Sequence, residues 1–276
     1  MSAIFLSHNG LGDILFSVGA VRFLSKYYEQ IFFLLKEIHY ENAMLFFLDN
    51  PKIKFILINS SNECKYFYKS CERFIKNNYE NNDVFICGFH KTYLTSKITN
   101  TDLLKYNTKS DKDYDLNYDT INNSNYKAVK GFYEDINLGL DIFYDYFYLP
   151  QTDKSKELYE SVKNYKIILT QTSCSENKIL NIEKLKTRYL NDENVIMIST
   201  SENLYDKNKN EIKHSICEKF VFNKLIYYLD TIINCNEIYI IDSCFTGIVL
   251  PLKKKNKLKS TTVRIIHRDL VDSVFL

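Results

Sequence analysis

Five polar segments concentrate the residues with chemistry to offer, and each follows an apolar run. The first is HNGLGD, positions 8 to 13. Gly10 and Gly12 permit a tight turn and let a ligand approach the backbone closely. A helix beginning here presents free N–H groups and the positive end of its dipole. Asp13, at the start of that helix, is either a cap or a carboxylate placed for proton transfer. The spacing is not G-x-G-x-x-G, so a dinucleotide fingerprint is not supported. DSCFTG, 242 to 247, sets Asp242, Ser243 and Thr246 at another helix start. That is a generic diphosphate site or an ordinary N-cap. TQTSCSENK, 170 to 178, combines strand-end hydroxyls with Lys178, a point charge able to neutralise a phosphate. In TSEN, 200 to 203, Glu202 suits a base or a ribose, or the segment is only a loop. His90 closes a fourth apolar run and is either a base or a packing histidine.

The elements that must carry these segments alternate. AIFLS (3 to 7), IFFLL (31 to 35), KFILI (54 to 58) and DVFIC (83 to 87) read as strands of one half. A helix follows the first loop through ILFSVGAVRFLSKYY, and further helices are expected over 42–48, 65–77 and 127–138. FYDYFYL (143 to 149) is aromatic and reads as a strand closed by Pro150. Residues 99–125 are polar and read as a long loop or insertion. KIILT (166 to 170), VIMIS (195 to 199), EIYII (237 to 241) and TVRII (262 to 266) are the strands of a second half. Helices are expected there over 155–162, 181–190, 219–233 and 248–252, with a basic loop over 253–260. Strands alternating with helices point to parallel sheets built from βαβ units. The expected fold is α/β: two Rossmann-like domains, 1–150 and 151–276, facing a central cleft. Ligands of such sheets sit beyond the carboxyl ends of the strands, where the polar segments fall.

Composition narrows the partners. The chain has 276 residues, a net charge of +2, 45% hydrophobic and 25% charged residues, values ordinary for a globular chain with a real core. So small a net charge gives no case for nucleic acid as a partner. No apolar run is long enough for a transmembrane segment, and the N-terminus does not read as a signal peptide. The seven cysteines are odd in number and show no C-x-x-C pair, so reduced thiols in a cytoplasmic protein are expected rather than disulfides or a zinc site. Cys174 and Cys244 lie in strand-end loops with no base nearby in sequence, so neither is read as a nucleophile.

Taken together, LGDILFSVGAVRFL, SENKILNIEKL, FYEDINLGLDIFYDYFYLP and IIDSCFTGIVLPL resemble segments of the GT-B glycosyltransferases, in particular the ADP-heptose:lipopolysaccharide heptosyltransferase-like group. The first looks like that family's Gly-Asp motif and small-residue helix; the last is similar to its strand-Asp-Ser/Thr-Gly motif. The family's His after that loop is absent, since Gly247, Ile248 and Val249 stand there. The resemblance implies Asp13 as general base and Lys178, Asp242, Ser243, Thr246 and Gly247 facing the donor diphosphate. Asn9, Gly10, Gly12, Thr172, Ser173, Thr200 and Glu202 complete the expected donor-binding set, and His8 and His90 are placed toward the acceptor. The donor side falls in 151–276 and the acceptor side in 1–150. No D-x-D motif occurs in the strand-end loops, which agrees with transfer from a nucleotide-sugar co-substrate to a glycan or glycoconjugate with no metal and no cofactor. A single in-line displacement predicts inversion. A sugar-nucleotide epimerase of the same architecture, a catalytically inactive nucleotide-sugar-binding protein and an interaction protein whose loops are only caps are the alternatives.

Overall fold

A computed structural model describes residues 1–7, 10–58, 64–88, 127–174, 178–274 and 276. The expected insertion 99–125 and the residues His8, Asn9 and His90 lie outside this set. The chain divides into two compact units, Met1–Pro150 and Gln151–Leu276.

The first unit runs β1 (Ser2–Leu6), α1 (Leu11–Phe16), α2 (Val18–Leu24), β2 (Gln30–Lys36), α3 (Tyr40–Phe46), β3 (Ile53–Ile58), α4 (Cys64–Asn78), β4 (Asn82–Ile86), α5 (Lys127–Glu134) and α6 (Leu140–Tyr146). The strands form one parallel sheet in the order β3-β2-β1-β4, with Ile4 beside Phe32 on one side and Val84 on the other. β1 is central and its residues Ala3 to Leu6 are all buried. A strand covered on both faces has no use for alternation, which is why AIFL and DVFI are continuous apolar runs. One side of the sheet is packed by Phe67, Cys71 and Ile75 of α4 against Ile4, Leu34 and Ile86.

Three sequence expectations change in this unit. The helix after the first loop is two helices meeting at Ser17. The helix expected over 127–138 ends at Glu134 and continues as a turn. The segment read as strand FYDYFYL is α6 plus an extended tail. Its aromatic residues favour a strand locally, but Gly139 starts a helix in extended conformation. The helix then puts Phe143 against Phe16 and Tyr133, with ring centroids 6.1 and 5.9 Å away. It also puts Tyr146 against Phe23 at 5.0 Å. Tertiary packing outweighs the local preference.

The second unit runs α7 (Asp153–Glu160), β5 (Lys166–Gln171), α8 (Glu183–Tyr189), β6 (Val195–Ser199), α9 (Glu211–Glu218), α10 (Leu229–Asn234), β7 (Glu237–Ile241), α11 (Thr246–Lys254) and β8 (Thr262–Ile266). Its sheet is also parallel, in the order β6-β5-β7-β8. Ile168, Met197 and Ile241 of the sheet pack with Leu180, Leu185 and Val271. Asp230 on α10 accepts hydrogen bonds from Ser155 and Gln151, which ties α7 to α10. The single helix expected over 219–233 is replaced by a turn after the end of α9 at Glu218, a 3₁₀ segment over Leu225–Tyr228 and α10. α11 begins two residues earlier than expected and takes in Lys253 and Lys254 from the basic stretch. Among the described residues no helix is long and apolar enough to cross a membrane.

Candidate functional site

Each sheet has one place where successive strands change direction of growth. In the first unit the chain builds outward from β1 through β2 and β3, then crosses to place β4 on the other side of β1. Ligands of open α/β sheets bind beyond the carboxyl ends of the strands at such a point. The loop after β1 reaches it with Gly10, which starts α1 at φ −96° and ψ 157°. Gly10 N donates to Asp13 Oδ2 at 2.9 Å. A Cβ on residue 10 would lie 2.8 Å from that same oxygen, so a side chain there would have to displace the carboxylate from this approach. Asp13 therefore holds the loop to the helix, while Gly12 sits in the first turn. Behind them, Ser17 Oγ lies 2.8 Å from the Asp13 carbonyl and 2.9 Å from Ser7 Oγ, with Cys87 Sγ at 3.6 Å. Burial pushes the Cys87 thiol up to about 12; the Ser17 hydrogen bond opposes this, and the charge of Asp135 adds to it. Such a thiol stays protonated and supplies no nucleophile at neutral pH.

In the second unit β5 and β7 flank the corresponding point. Gln171 ends β5, and its Oε1 accepts from Ser243 Oγ at 2.8 Å, a direct bridge between the two strand-end loops. Ser243 N donates to Thr246 Oγ1 at 3.1 Å, closing the DSCFTG loop onto the first turn of α11. Thr246 is only 1% exposed. Its hydroxyl and that of Ser243 thus shape the loop from within, and Gly247 is buried beside them. Thr172 Oγ1 and Ser201 Oγ are 2.9 Å apart, joining the loop after β5 to the loop after β6, and Thr200 N donates to Thr170 O at 3.2 Å. Ser173 pairs with Ile179 in an isolated bridge, and Leu180 N donates to Thr172 O at 2.7 Å, so the chain returns on itself there. Lys178 Nζ donates to Arg268 O at 3.0 Å. Glu202 is exposed.

The structure thus gathers Thr172, Ser173, Lys178, Thr200, Asp242, Ser243, Thr246 and Gly247 at the carboxyl edge of one sheet, and Gly10, Gly12 and Asp13 at that of the other. Sequence reasoning passed over four residues at the second edge. Gln171 and Ser201 lie inside the quoted segments. Arg268 stands two residues beyond β8, and its Nε donates to Asp242 O at 2.7 Å. A polar tip after the last strand follows the same rule that found the others and was its available signal. Phe222 donates its N–H to Thr200 O at 2.9 Å, holds φ at 52°, and leaves its ring 80% exposed. Nothing in the sequence announced a left-handed Phe beside the β6 loop.

No protein-family model matches the chain, and no curated protein matches its sequence. Its shape does have relatives. A glycosyl transferase of family 9 from Veillonella parvula is 11% identical with a TM-score of 0.55, over 96% of this chain and 85% of that one. The ADP-heptose lps heptosyltransferase II of E. coli is 12% identical with a TM-score of 0.51, over 100% and 95%. The fold is that of the heptosyltransferase-like glycosyltransferases. The match covers nearly the whole chain, so both units take part in it. That agrees with the resemblance carried by the sequence motifs.

Proposed function

We propose that the chain is a glycosyltransferase that moves a sugar from a nucleotide-sugar donor to a hydroxyl of a glycan or glycoconjugate, with inversion and without a metal. The observation that carries this reading is a fold shared with two solved glycosyltransferases, with strand-end polar loops at the switch point of each sheet. The donor side is assigned to Gln151–Leu276, where the loops after β5, β6, β7 and β8 are joined by side-chain hydrogen bonds. The acceptor side is assigned to Met1–Pro150.

In this reading the acceptor oxygen attacks the anomeric carbon as the bond from that carbon to the diphosphate oxygen breaks. The hydroxyl proton passes to the Asp13 carboxylate, and the electron pair leaves with the nucleoside diphosphate. A positioned base contributes roughly 10²–10⁴-fold to such a step. Preorganised donors facing the leaving group stabilise its growing charge.

Asp13→Asn separates the two duties of this residue. Asn keeps a side-chain oxygen that can accept from Gly10 N, but it takes no proton. The variant is expected to keep its melting temperature and its donor affinity while transfer falls at least ~10²-fold. Full transfer by the variant would remove Asp13 from the base role. The donor is found first by a thermal-shift screen of nucleoside diphosphates and nucleotide sugars, with and without EDTA. A ligand at 100 times its dissociation constant adds about 2.7 kcal/mol to the folded state. No shift with any nucleotide sinks the donor-site assignment.

A further inference from the structure

The basic stretch after α11 lies at the amino edge of the second sheet, opposite the candidate site. α11 ends at Lys254 and β8 begins at Thr262. The five residues of β8 put roughly 15 Å between the two edges. Residues 253–264 hold six Lys and Arg and no acid. Lys253, Lys254, Lys257 and Lys259 are exposed, and among the described residues no acid pairs with them. Glu237, the acid on the neighbouring strand at this edge, is buried and engaged by Lys166, Tyr189 and Tyr239. Nor are these lysines needed to close the helix. Asn256 turns left-handed at φ 53°, so that its N–H donates to Lys253 O at 3.1 Å and Lys257 N to Leu252 O at 2.9 Å. The last carbonyls of α11 are thus satisfied by backbone.

An open cavity of about 250 Å³ sits among these cations, lined by Lys253, Asn256, Leu258, Ser260, Thr261 and Val263. Its floor is fixed to the turn between α10 and β7. Ser260 Oγ donates to Cys235 O at 3.0 Å, Thr261 Oγ1 to Asn236 O at 3.2 Å, and Lys259 N to Ile233 O at 2.9 Å. Those two hydroxyls have given up their protons but keep lone pairs for the hydroxyls of a ligand. The Lys253 ammonium and the Asn256 amide are donors for an anion.

We propose that this edge docks the chain on an anionic lipid surface. The cavity takes the phosphate and hydroxyls of one headgroup, and Lys254, Lys257 and Lys259 meet its neighbours. A single soluble phosphate ester would use the cavity and leave those three lysines idle, whereas a lipid surface engages them all. Each lysine brought to such a surface strengthens binding roughly fivefold. The docking edge belongs to the second unit alone and does not depend on the glycosyltransferase reading.

Co-sedimentation of the full chain with vesicles tests this, using phosphatidylcholine alone and phosphatidylcholine mixed with phosphatidylglycerol. The chain is expected to bind the mixed vesicles only, and less tightly as salt is raised. Lys254→Gln, Lys257→Gln and Lys259→Gln together should weaken binding by about 10²-fold. Lys184→Gln, Lys207→Gln and Lys209→Gln remove the same charge from exposed lysines elsewhere on the unit and should weaken it far less. Lys253→Gln, and Asn256→Gly, which keeps the left-handed turn, should each weaken it severalfold. Equal binding to both kinds of vesicle overturns the proposal, and so does an equal loss in the two triple variants. Wild-type affinity in both Lys253→Gln and Asn256→Gly overturns the part given to the cavity. Calorimetry with glycerol phosphate separates the sources: a chain that binds it but neither kind of vesicle takes a soluble ester, and the docking surface is refuted.

Discussion

Glu237 opens β7 with its carboxylate inside the protein, far along the strand from the candidate site. Tyr189 and Tyr239 donate to it at 2.9 and 2.7 Å, and Lys166 lies 2.7 Å away. Burial pushes the carboxyl up. The hydrogen bonds from Lys166, Tyr239 and Tyr189 outweigh burial and hold it below its ordinary value of 4.5. The same hydrogen bond raises Lys166 above its ordinary 10.5. A lowered carboxylate contributes stability above its unfolded value and loses it as pH falls through the folded one. A raised ammonium contributes below its unfolded value and loses that as pH rises through the folded one. The pair therefore supports the fold between the ordinary values of 4.5 and 10.5. Glu237→Gln is expected to cost about 1.5–3 kcal/mol at pH 7, the range for hydrogen bonds to a charged group. Denaturant midpoints at neutral and strongly acid pH provide the check. The gap between variant and wild type closes at acid pH, where both carry a neutral group. A gap that is the same at both pH values refutes the assignment.

The small residues of α2 show how an element is placed by what it omits. A Cβ on Gly19 would meet Ile142 O at 2.8 Å, Tyr133 Oη at 2.8 Å and Phe143 Cα at 2.9 Å. Two of those atoms are backbone, so α6 itself would have to move. Tyr133 Oη also accepts from Ala20 N at 3.2 Å and donates to Phe16 O at 2.9 Å, where α1 gives way to α2. Helix propensity alone favours Gly19→Ala by roughly 1 kcal/mol. Overpacking costs about 1–3 kcal/mol, and the contact distances make it the larger effect. The variant should unfold at lower denaturant than wild type; an unchanged or higher midpoint would show that α6 yields freely. The same contacts explain what was legible in the sequence. Runs such as AIFL, VIMI and EIYII need only burial on both faces to become strands, and burial is written in their composition. FYDYFYL carried a local preference for strand, but its fold is decided by Gly19 and Tyr133, which lie outside its own sequence. The region 219–233 failed for a related reason, because Phe222 turns left-handed to bond the β6 loop. Strand-end chemistry was legible as a rule about edges. Which hydroxyls turn inward, as Ser243 and Thr246 do, depends on partners more than 70 residues away or within the loop itself.

The two units differ in charge as well as in sheet order. Met1–Pro150 holds 16 Lys and Arg against 18 Asp and Glu, net −2; Gln151–Leu276 holds 20 against 16, net +4. The stretch from Ser243 to Arg268 contains seven Lys and Arg and no acid. The unit proposed to hold the anionic donor is therefore the positive one, and the modest charge of the whole chain conceals the asymmetry. A local excess of cations raises the capture rate of an anion and makes it salt-dependent. Each unit also closes its own sheet over its own buried cluster, and a unit of this size is large enough to fold alone. Gln151–Leu276 produced by itself is thus expected to melt in one cooperative transition. It should also bind pyrophosphate and the preferred nucleoside diphosphate within about tenfold of the full chain. Circular dichroism and calorimetry measure both. A chain that melts without a transition would show that the second core needs the first. A folded unit that binds no diphosphate, while the full chain does, would move the donor off the second sheet and undo the division of labour between the halves.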